Sequence, residues 1–441
     1  MLGFSKEVVE VIEKALKLSN PTEEEVEKAR RAEKAIKERF ETLKLDYMFV
    51  GSYARNTWLK ENLEIDIFIF FTKDVTKKEL KTKILEIGGK VLDEMEIRFA
   101  EHPYAHGKVQ GVNVDLVPCY KVKSVEEIIS AVDRTPFHHE WLKDRVKGKE
   151  NEIRIFKQFL RANNIYGAEY KVKGFSGYLC ELLIVFYGSF INCIKNATNW
   201  SRKTVIDVKN GVVKDGEIFF VIDPVDEKRN VAANLSIDNL AKFIQISRDF
   251  LKKPSIEFFI SKKRKIDAKK VSESLNLRGT ELIAVEFEKP QIVEDNLYPQ
   301  LERAGKKIFE ALKREYFSPI RFGFFVNKKK CYLIFECEIR ELSKITRKIG
   351  PIFEDEKNVE KFLNKERPFK PFIENGRWWS FEFRRHVRPE EVIVDYIKEK
   401  NQALGKNVGV KLLESYRILK GEELVIPELI ENISEFLGVK D

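Results

Sequence analysis

Cysteine is scarce and scattered. There are five in 441 residues (Cys119, Cys180, Cys193, Cys331 and Cys337), and no two form a CxxC pair. That odd number at irregular spacing suits reduced thiols in a cytosolic compartment better than a disulfide framework. Glycine (22) and proline (14) are few, and no segment is repeated or of low complexity, which leaves an ordinary globular chain. Long apolar runs are missing too: the strongest, YLCELLIVFYGSF, carries Glu181 and is too short to span a bilayer. The opening MLGFSKEVVEVIEKALKLSNP reads as an amphipathic helix ended near Pro21, not as a signal peptide. Zinc chemistry lacks its usual motifs. There is no HExxH, and His102 and His106 in EHPYAH are separated by Pro103 and followed by Gly107, which argues against a shared helix.

What is present is length and charge. The chain is long enough for two to four domains with real cores. The formal net charge of +9 favours a polyanionic partner without requiring one. Thr22 and Glu25 have capping-box spacing at the start of a second helix. Alternating strand and helix patterns then run to about Trp141, and YARNTWL reads as a short helix. From Glu150 the pattern turns helical, with GFSGYLCELLIVFYGSFINCIKNA as one long apolar helix. DPVDEKRNVAANL reads as a polar loop, and Ser236 caps the helix after it. A mixed α/β region follows, with a helical insert near residues 342–366. The expected fold is therefore α+β and multi-domain, with domains at 1–142, 143–257 and 258–441.

One stretch, LEIDIFIFF, poses a physical problem. Glu64 and Asp66 are two apart, so in a strand they share a face, and Phe68 and Phe70 continue it. Neighbouring carboxylates running into apolar cover repel each other and lose hydration. In GVNVDLVPCY, Asp115 is again a lone acid in an apolar strand. If that strand pairs beside the first, three carboxylates converge on a patch suited to hard divalent cations. Two metals roughly 4 Å apart can serve an in-line phosphoryl displacement. Upstream, the Gly51-Ser52 turn offers backbone and hydroxyl donors to a phosphate, and Arg55 can add a bidentate contact. Acids two apart on a strand are more often its solvent edge, and a lone Gly-Ser turn is usually only a turn. The combination favours the metal reading. Gly174-Phe175-Ser176-Gly177 is not a nucleophile elbow, since Tyr178 stands where GxSxG needs glycine, and Ser176 reads as a helix cap.

The segments GSYARNTWL, LEIDIF, VDLVPCY, SAVDRTPFHHEWL, IYGAEYKVKGFSGYLCELL, DPVDEKRNVAANLS, ENGRWWSFEF and LGKNVG together resemble the archaeal-type CCA-adding enzymes, tRNA nucleotidyltransferases of the DNA polymerase β-like superfamily. The resemblance implies a polymerase β-like head, a helical central domain and a mixed α/β C-terminal region with an inserted helical tail. It implies template-independent addition of CCA to tRNA from CTP and ATP, the tRNA 3′-hydroxyl attacking the α-phosphate and pyrophosphate leaving. Glu64, Asp66 and Asp115 would hold two Mg²⁺ ions, and Ser52, Arg55, His138, Lys157 and Tyr166 would surround the nucleotide. Arg229 would take part in choosing cytosine or adenine, and Glu101 and His102 would lie near the same pocket. The partners are tRNA and the two nucleotides, with no membrane; a homodimer is compatible with the sequence. An ATP-only terminal transferase, or a non-catalytic RNA-binding protein on this scaffold, is the alternative. Taken alone, Lys157 reads as a solvated helix-face lysine and His138 equally as a turn histidine or a site residue, while packing at a helix end is the alternative for Tyr166 and an ion pair with Asp226 or Glu227 the alternative for Arg229. Residues 361–388 carry eight Lys or Arg against three Glu, interleaved with Trp378, Trp379 and several Phe. That mixture suits an RNA surface or an ordinary strand with one buried face.

Overall fold

The structure, a computed structural model, describes residues 6–99, 103–261 and 266–439; Glu101 and His102 lie outside them. The chain divides into two compact units, one ending at residue 262 and one beginning at 263.

The first unit opens with α1 (Lys6–Ser19) and α2 (Glu23–Leu43). Thr22 and Glu25 close a capping box at the start of α2, worth about 1 kcal/mol. β1 (Tyr47–Val50), α3 (Gly51–Ala54), β2 (Glu64–Phe71), α4 (Lys77–Val91), β3 (Glu94–Phe99), β4 (Pro103–Val109) and β5 (Val112–Tyr120) follow, then α5 (Thr135–Leu142). The helix at the glycine turn is GSYA, not YARNTWL. Asn56 adopts a positive φ of 54° and ends it, so Arg55 is its C-terminal cap rather than part of its first turn.

The five strands form one sheet in the order β1-β2-β5-β4-β3. β2 and β5 are parallel, and every other pair is antiparallel. Ile65, Ile67, Ile69, Val114 and Leu116 pack on Ala32, Ile36 and Phe40 of α2 and on Ile84 and Val91 of α4. Strand alternation then turns Glu64, Asp66, Asn113 and Asp115 to the opposite face. Further along that face Phe68 and Cys119 are buried with Val50, beside the half-buried Phe70 and Val117. The acids thus occupy one end of a surface whose other end is apolar core.

The remainder of this unit contains α6 (Glu150–Ala162), α7 (Gly177–Tyr187), α8 (Phe190–Ala197), β6 (Thr204–Asp207), β7 (Val212–Asp215), β8 (Phe220–Asp223), β9 (Asp226–Asn230) and α9 (Ile237–Lys252). Phe156, Phe159, Phe175, Phe190, Phe243, Phe250 and Phe259 are all fully buried in its core, each contributing about 1.5–3 kcal/mol by burial. Two sequence expectations fail here. The long apolar helix is two helices bent by 93°: Gly188 is left-handed at φ 81°, and the Ser189 hydroxyl caps α8 by accepting from the Asn192 amide at 3.2 Å. Unbroken hydrophobicity hid adjacent stop and start signals. DPVDEKRN is not a loop but the β8–β9 hairpin at the edge of a sheet ordered β7-β6-β8-β9. Ser176 and Ser236 do cap helices, accepting from Leu179 and Asn239 at 3.1 Å each. Among the described residues no single helix is long and apolar enough to cross a membrane.

The second unit runs α10 (Ala268–Arg278), β10 (Glu281–Glu288), α11 (Glu294–Arg314), β11 (Pro319–Val326), β12 (Lys330–Cys337), β13 (Ile345–Ile352), α12 (Glu356–Leu363), β14 (Phe372–Glu374), β15 (Arg377–Phe383), α13 (Pro389–Lys400), α14 (Lys406–Glu414), β16 (Tyr416–Lys420) and α15 (Ile430–Leu437). Its main sheet is ordered β11-β12-β10-β16. The expected helical insert is instead a three-stranded antiparallel sheet, β13-β15-β14, with the single helix α12. Trp378 and Trp379 on β15 are both half-buried. The Arg347 guanidinium lies 4.2 Å from the Trp379 ring centroid.

Candidate active site

Parallel pairing sets the geometry of the acids. Asp66 and Asp115 are direct register partners, and Glu64 stands opposite Asn113. One ligand atom each from Glu64, Asp115 and His106 lies within 4.8 Å of the others. His106 is the register partner of Asp115 on β4, and its Nδ1 lies 2.5 Å from Asp115 Oδ1. The Asp66 carboxyl is seated under the glycine turn, where a Cβ on Gly51 would come within 2.0 Å of Asp66 Oδ2. Burial first, then the charges of Glu64 and Asp115, push Asp66 from the ordinary 3.8 up to about 7, against the opposing pull of Arg55. At Asp66 the repulsion from its two acidic neighbours outweighs the pull of Arg55. Among the described residues, two carboxylates and one imidazole, from Glu64, Asp115 and His106, meet closely enough to hold a divalent cation; Asp66 stands beside them under Gly51, where a cation's charge would relieve its repulsion.

Two expected results follow from this geometry. A folded carboxyl that holds its proton more tightly than the unfolded one contributes stability that is complete below about pH 4 and lost as pH rises through about 7. Thermal melts of metal-free protein should therefore favour Asp66→Asn over wild type by a margin that grows between those values. Gly51, at φ +72°, has neither the conformational freedom nor the space for a side chain. Gly51→Ala should cost about 1–3 kcal/mol in urea unfolding and weaken Mn²⁺ binding measured by electron paramagnetic resonance.

A second cluster surrounds Glu181, which is 1% exposed inside α7. Its carboxylate accepts from Arg55 Nε at 2.9 Å, from Lys157 Nζ at 3.3 Å and from the Thr57 hydroxyl. Burial alone would raise its pKa, but Arg55 and Lys157 outweigh burial and hold it below the ordinary range. Lys157 also donates to Thr57 O and Oγ1 at 3.1 Å each and is 1% exposed, so it is not a solvated helix-face lysine. Two cations share one acid, which leaves a net positive charge. Arg55 also acts on Asp66 and thereby links this cluster to the acids. A Cβ on Gly177 would lie 3.3 Å from the Tyr166 hydroxyl and 3.7 Å from Lys157 Nζ, so Tyr166 belongs beside Lys157. Ser52 is half-buried within α3, its backbone carbonyl accepting from the Thr57 amide at 2.8 Å.

A third cluster centres on Asp223 of β8, which is fully buried. His138 Nε2 lies 2.8 Å from Asp223 Oδ2, Arg229 Nη1 donates to the same oxygen at 2.8 Å, and the Tyr178 hydroxyl donates to Oδ1 at 3.1 Å. The His138 and Tyr178 rings stack with centroids 4.1 Å apart. His138 stands on α5 and not in a turn. Burial is the main force drawing its pKa down, aided by Arg229 and Arg134 and opposed by Asp223. Arg229 does not pair with Asp226 or Glu227, which are held by Arg134 and Lys209.

The structure therefore brings Glu64, Asp66 and Asp115 into one patch, Arg55, Lys157 and Tyr166 around Glu181, and His138 and Arg229 onto Asp223. Three residues were not assigned roles from sequence. His106 was set aside because its neighbours argue against a helix, although strand alternation in YAHGKV would have placed it opposite an acid. Glu181 carried the same signal as Glu64, an acid in an apolar run. Asp223 gave no signal, because its surroundings read as a loop.

Family models match three successive segments of the chain: a nucleotidyltransferase domain over residues 29–138, the second domain of tRNA nucleotidyltransferase over 151–260, and the C-terminal domain of CCA-adding enzyme over 278–421. The chain is 57% identical over 435 residues to the CCA-adding enzyme of Archaeoglobus fulgidus, covering 98% of this chain and 100% of that protein. It is 39% identical over 417 residues to the CCA-adding enzyme of Methanocaldococcus jannaschii, covering 89% and 90%. A solved poly(U) polymerase aligns with 58% of this chain and 99% of its own at 11% identity and a TM-score of 0.47, a match too loose to carry any argument. On its near full-length identity to these two archaeal relatives, the chain belongs to the CCA-adding enzyme family of tRNA nucleotidyltransferases.

Proposed function

We propose that this protein adds CCA to tRNA 3′ ends from CTP and ATP without a nucleic-acid template. The tRNA 3′-hydroxyl oxygen forms a new bond to the nucleotide α-phosphorus, the α–β bridge bond breaks, and pyrophosphate leaves. Glu64, Asp66 and Asp115 would hold the divalent cation, in our reading two Mg²⁺ ions. Bound there, the metal would activate the attacking hydroxyl and offset charge on the triphosphate. Asp115, steadied by His106, is the group assigned to the hydroxyl proton. Ser52, Arg55, Lys157 and Tyr166 are assigned to the phosphates and sugar; Glu181 fixes the two cationic heads in advance, so little reorganisation is needed when anionic charge arrives. His138 and Arg229, both held by Asp223, are assigned to the base. We divide the chain into a catalytic domain at 1–142, a central domain at 143–257 and a tRNA-binding region at 258–441, and place the protein in the cytoplasm.

The supporting observation is the register of two parallel strands, which sets Asp66 level with Asp115 in a chain with full-length relatives of this family. The test supplies purified protein and Mg²⁺ with tRNA lacking its terminal CCA, and with CTP, ATP or both. Addition of two C from CTP alone, and of A only afterwards, is expected. Addition of A to the unfinished end without prior C would overturn the proposal in favour of an ATP-only transferase. Sedimentation of the same preparation separates monomer from homodimer.

A further inference from the structure

A cavity of about 630 Å³ in the first unit shares no residue with the acid patch, nor with the residues assigned to the nucleotide. Its wall includes Arg154 of α6, which is 6% exposed. Arg154 donates from Nε to Trp58 O at 3.0 Å, from Nη1 to Asn151 Oδ1 at 3.0 Å, and from Nη2 to Asn56 O at 2.7 Å and Asn56 Oδ1 at 2.6 Å. Every one of these acceptors is neutral, and among the described residues no carboxylate lies within ion-pair distance. The opposing charge that acts on it is Glu150, one turn earlier on α6 and beyond ion-pair distance, and an arginine buried with so little compensation is costly to keep unless an anion arrives from outside. Burial already draws its pKa below the ordinary value.

A second feature is independent of the first. Asn20 Oδ1, also on the cavity wall, is buried and accepts no hydrogen bond among the described residues. A buried acceptor of this kind calls for a donor. Arg30, exposed on α2, adds a cation at the rim; among the described residues its one ion pair is a loose one to Glu27 at 4.0 Å. The Phe49 and Tyr53 rings supply aromatic wall, their centroids 6.5 Å apart. The one lining acid, Glu33, is already answered by the Tyr53 hydroxyl and by Lys37, at 2.7 Å each. The occupant these groups call for has an anionic end for the arginines, a planar apolar part for the rings and an N–H or O–H for Asn20.

We propose that this cavity is a second nucleotide site, taking the phosphate and base of one nucleotide supplied either as a free monophosphate or as a residue of bound RNA. The catalytic pocket is kept out of the test by filling it with Mg²⁺ and a non-hydrolysable CTP analogue. Equilibrium dialysis of labelled AMP and CMP against the full-length protein should then find one further equivalent bound per chain. Arg30→Glu should weaken it about tenfold or more, while Arg31→Glu, the same charge change on an exposed neighbour outside the cavity, should not. Both variants should melt as the wild type does. If neither monophosphate binds but Arg30→Glu raises the tRNA Kd well beyond Arg31→Glu, the occupant is an RNA nucleotide and the proposal stands. The absence of any further AMP or CMP equivalent, together with equal tRNA affinity for the two variants, overturns it.

Discussion

Asparagine in place of Asp115 is expected to lower the turnover of nucleotide addition by about 10²–10³-fold, the scale on which loss of one pre-placed electrostatic group is felt. The change preserves shape and removes one negative charge beside Asp66. Asp66 loses a repulsive neighbour, so the fold should melt no lower than wild type. The cost should fall on kcat with unfinished tRNA far more than on KM for CTP, because Arg55 and Lys157, the cations assigned to the phosphates, are untouched. Mn²⁺ affinity should fall in parallel. A variant that retains turnover within about tenfold while binding Mn²⁺ normally would remove Asp115 from the reacting centre.

Glu181→Gln should produce the largest loss of stability, about 3–5 kcal/mol in chemical unfolding, the usual cost of removing one partner from a buried charged group. Lys157 and the Arg55 side chain, 1% and 7% exposed, would be left with a neutral amide between them. The mechanism is separable from simple loss of packing: Lys157→Met added to Glu181→Gln removes one stranded cation, so the pair should be more stable than Glu181→Gln alone. Activity should not return with stability, since Lys157 is assigned to the phosphates. Simple additivity of the two losses would mean that the charges are not coupled.

The acid patch was legible in the sequence because strand alternation is rigid. Once LEIDIFIFF and VNVDLVPCY are strands with one apolar face each, Glu64, Asp66 and Asp115 have only the other face available. What could not be read was pairing across long separations. His106 acquires meaning only beside Asp115, and Glu181 only when Arg55, 126 residues earlier, arrives at its carboxylate. The β8–β9 hairpin was missed for a related reason. Its charged residues look solvated until Asp223 is seen buried beneath His138, Tyr178 and Arg229. Gly188-Ser189 shows the opposite failure, a local signal that was present but masked by hydrophobicity on both sides.

The shared direction of β2 and β5 separates two kinds of tolerance in this chain. The crossover that carries α4, β3 and β4 leaves one strand and returns beside it, so the turns flanking α4 can change length without moving either aspartate, while β4 keeps its register to hold His106 against Asp115. Phase along β5 has no such latitude: deleting Val114 alone would carry Asp115 through the sheet into the aliphatic layer beneath α2 and α4. Insertions and losses among descendants of this gene should therefore collect in the turns flanking α4, while β4 and the spacing from Val112 to Asp115 stay fixed.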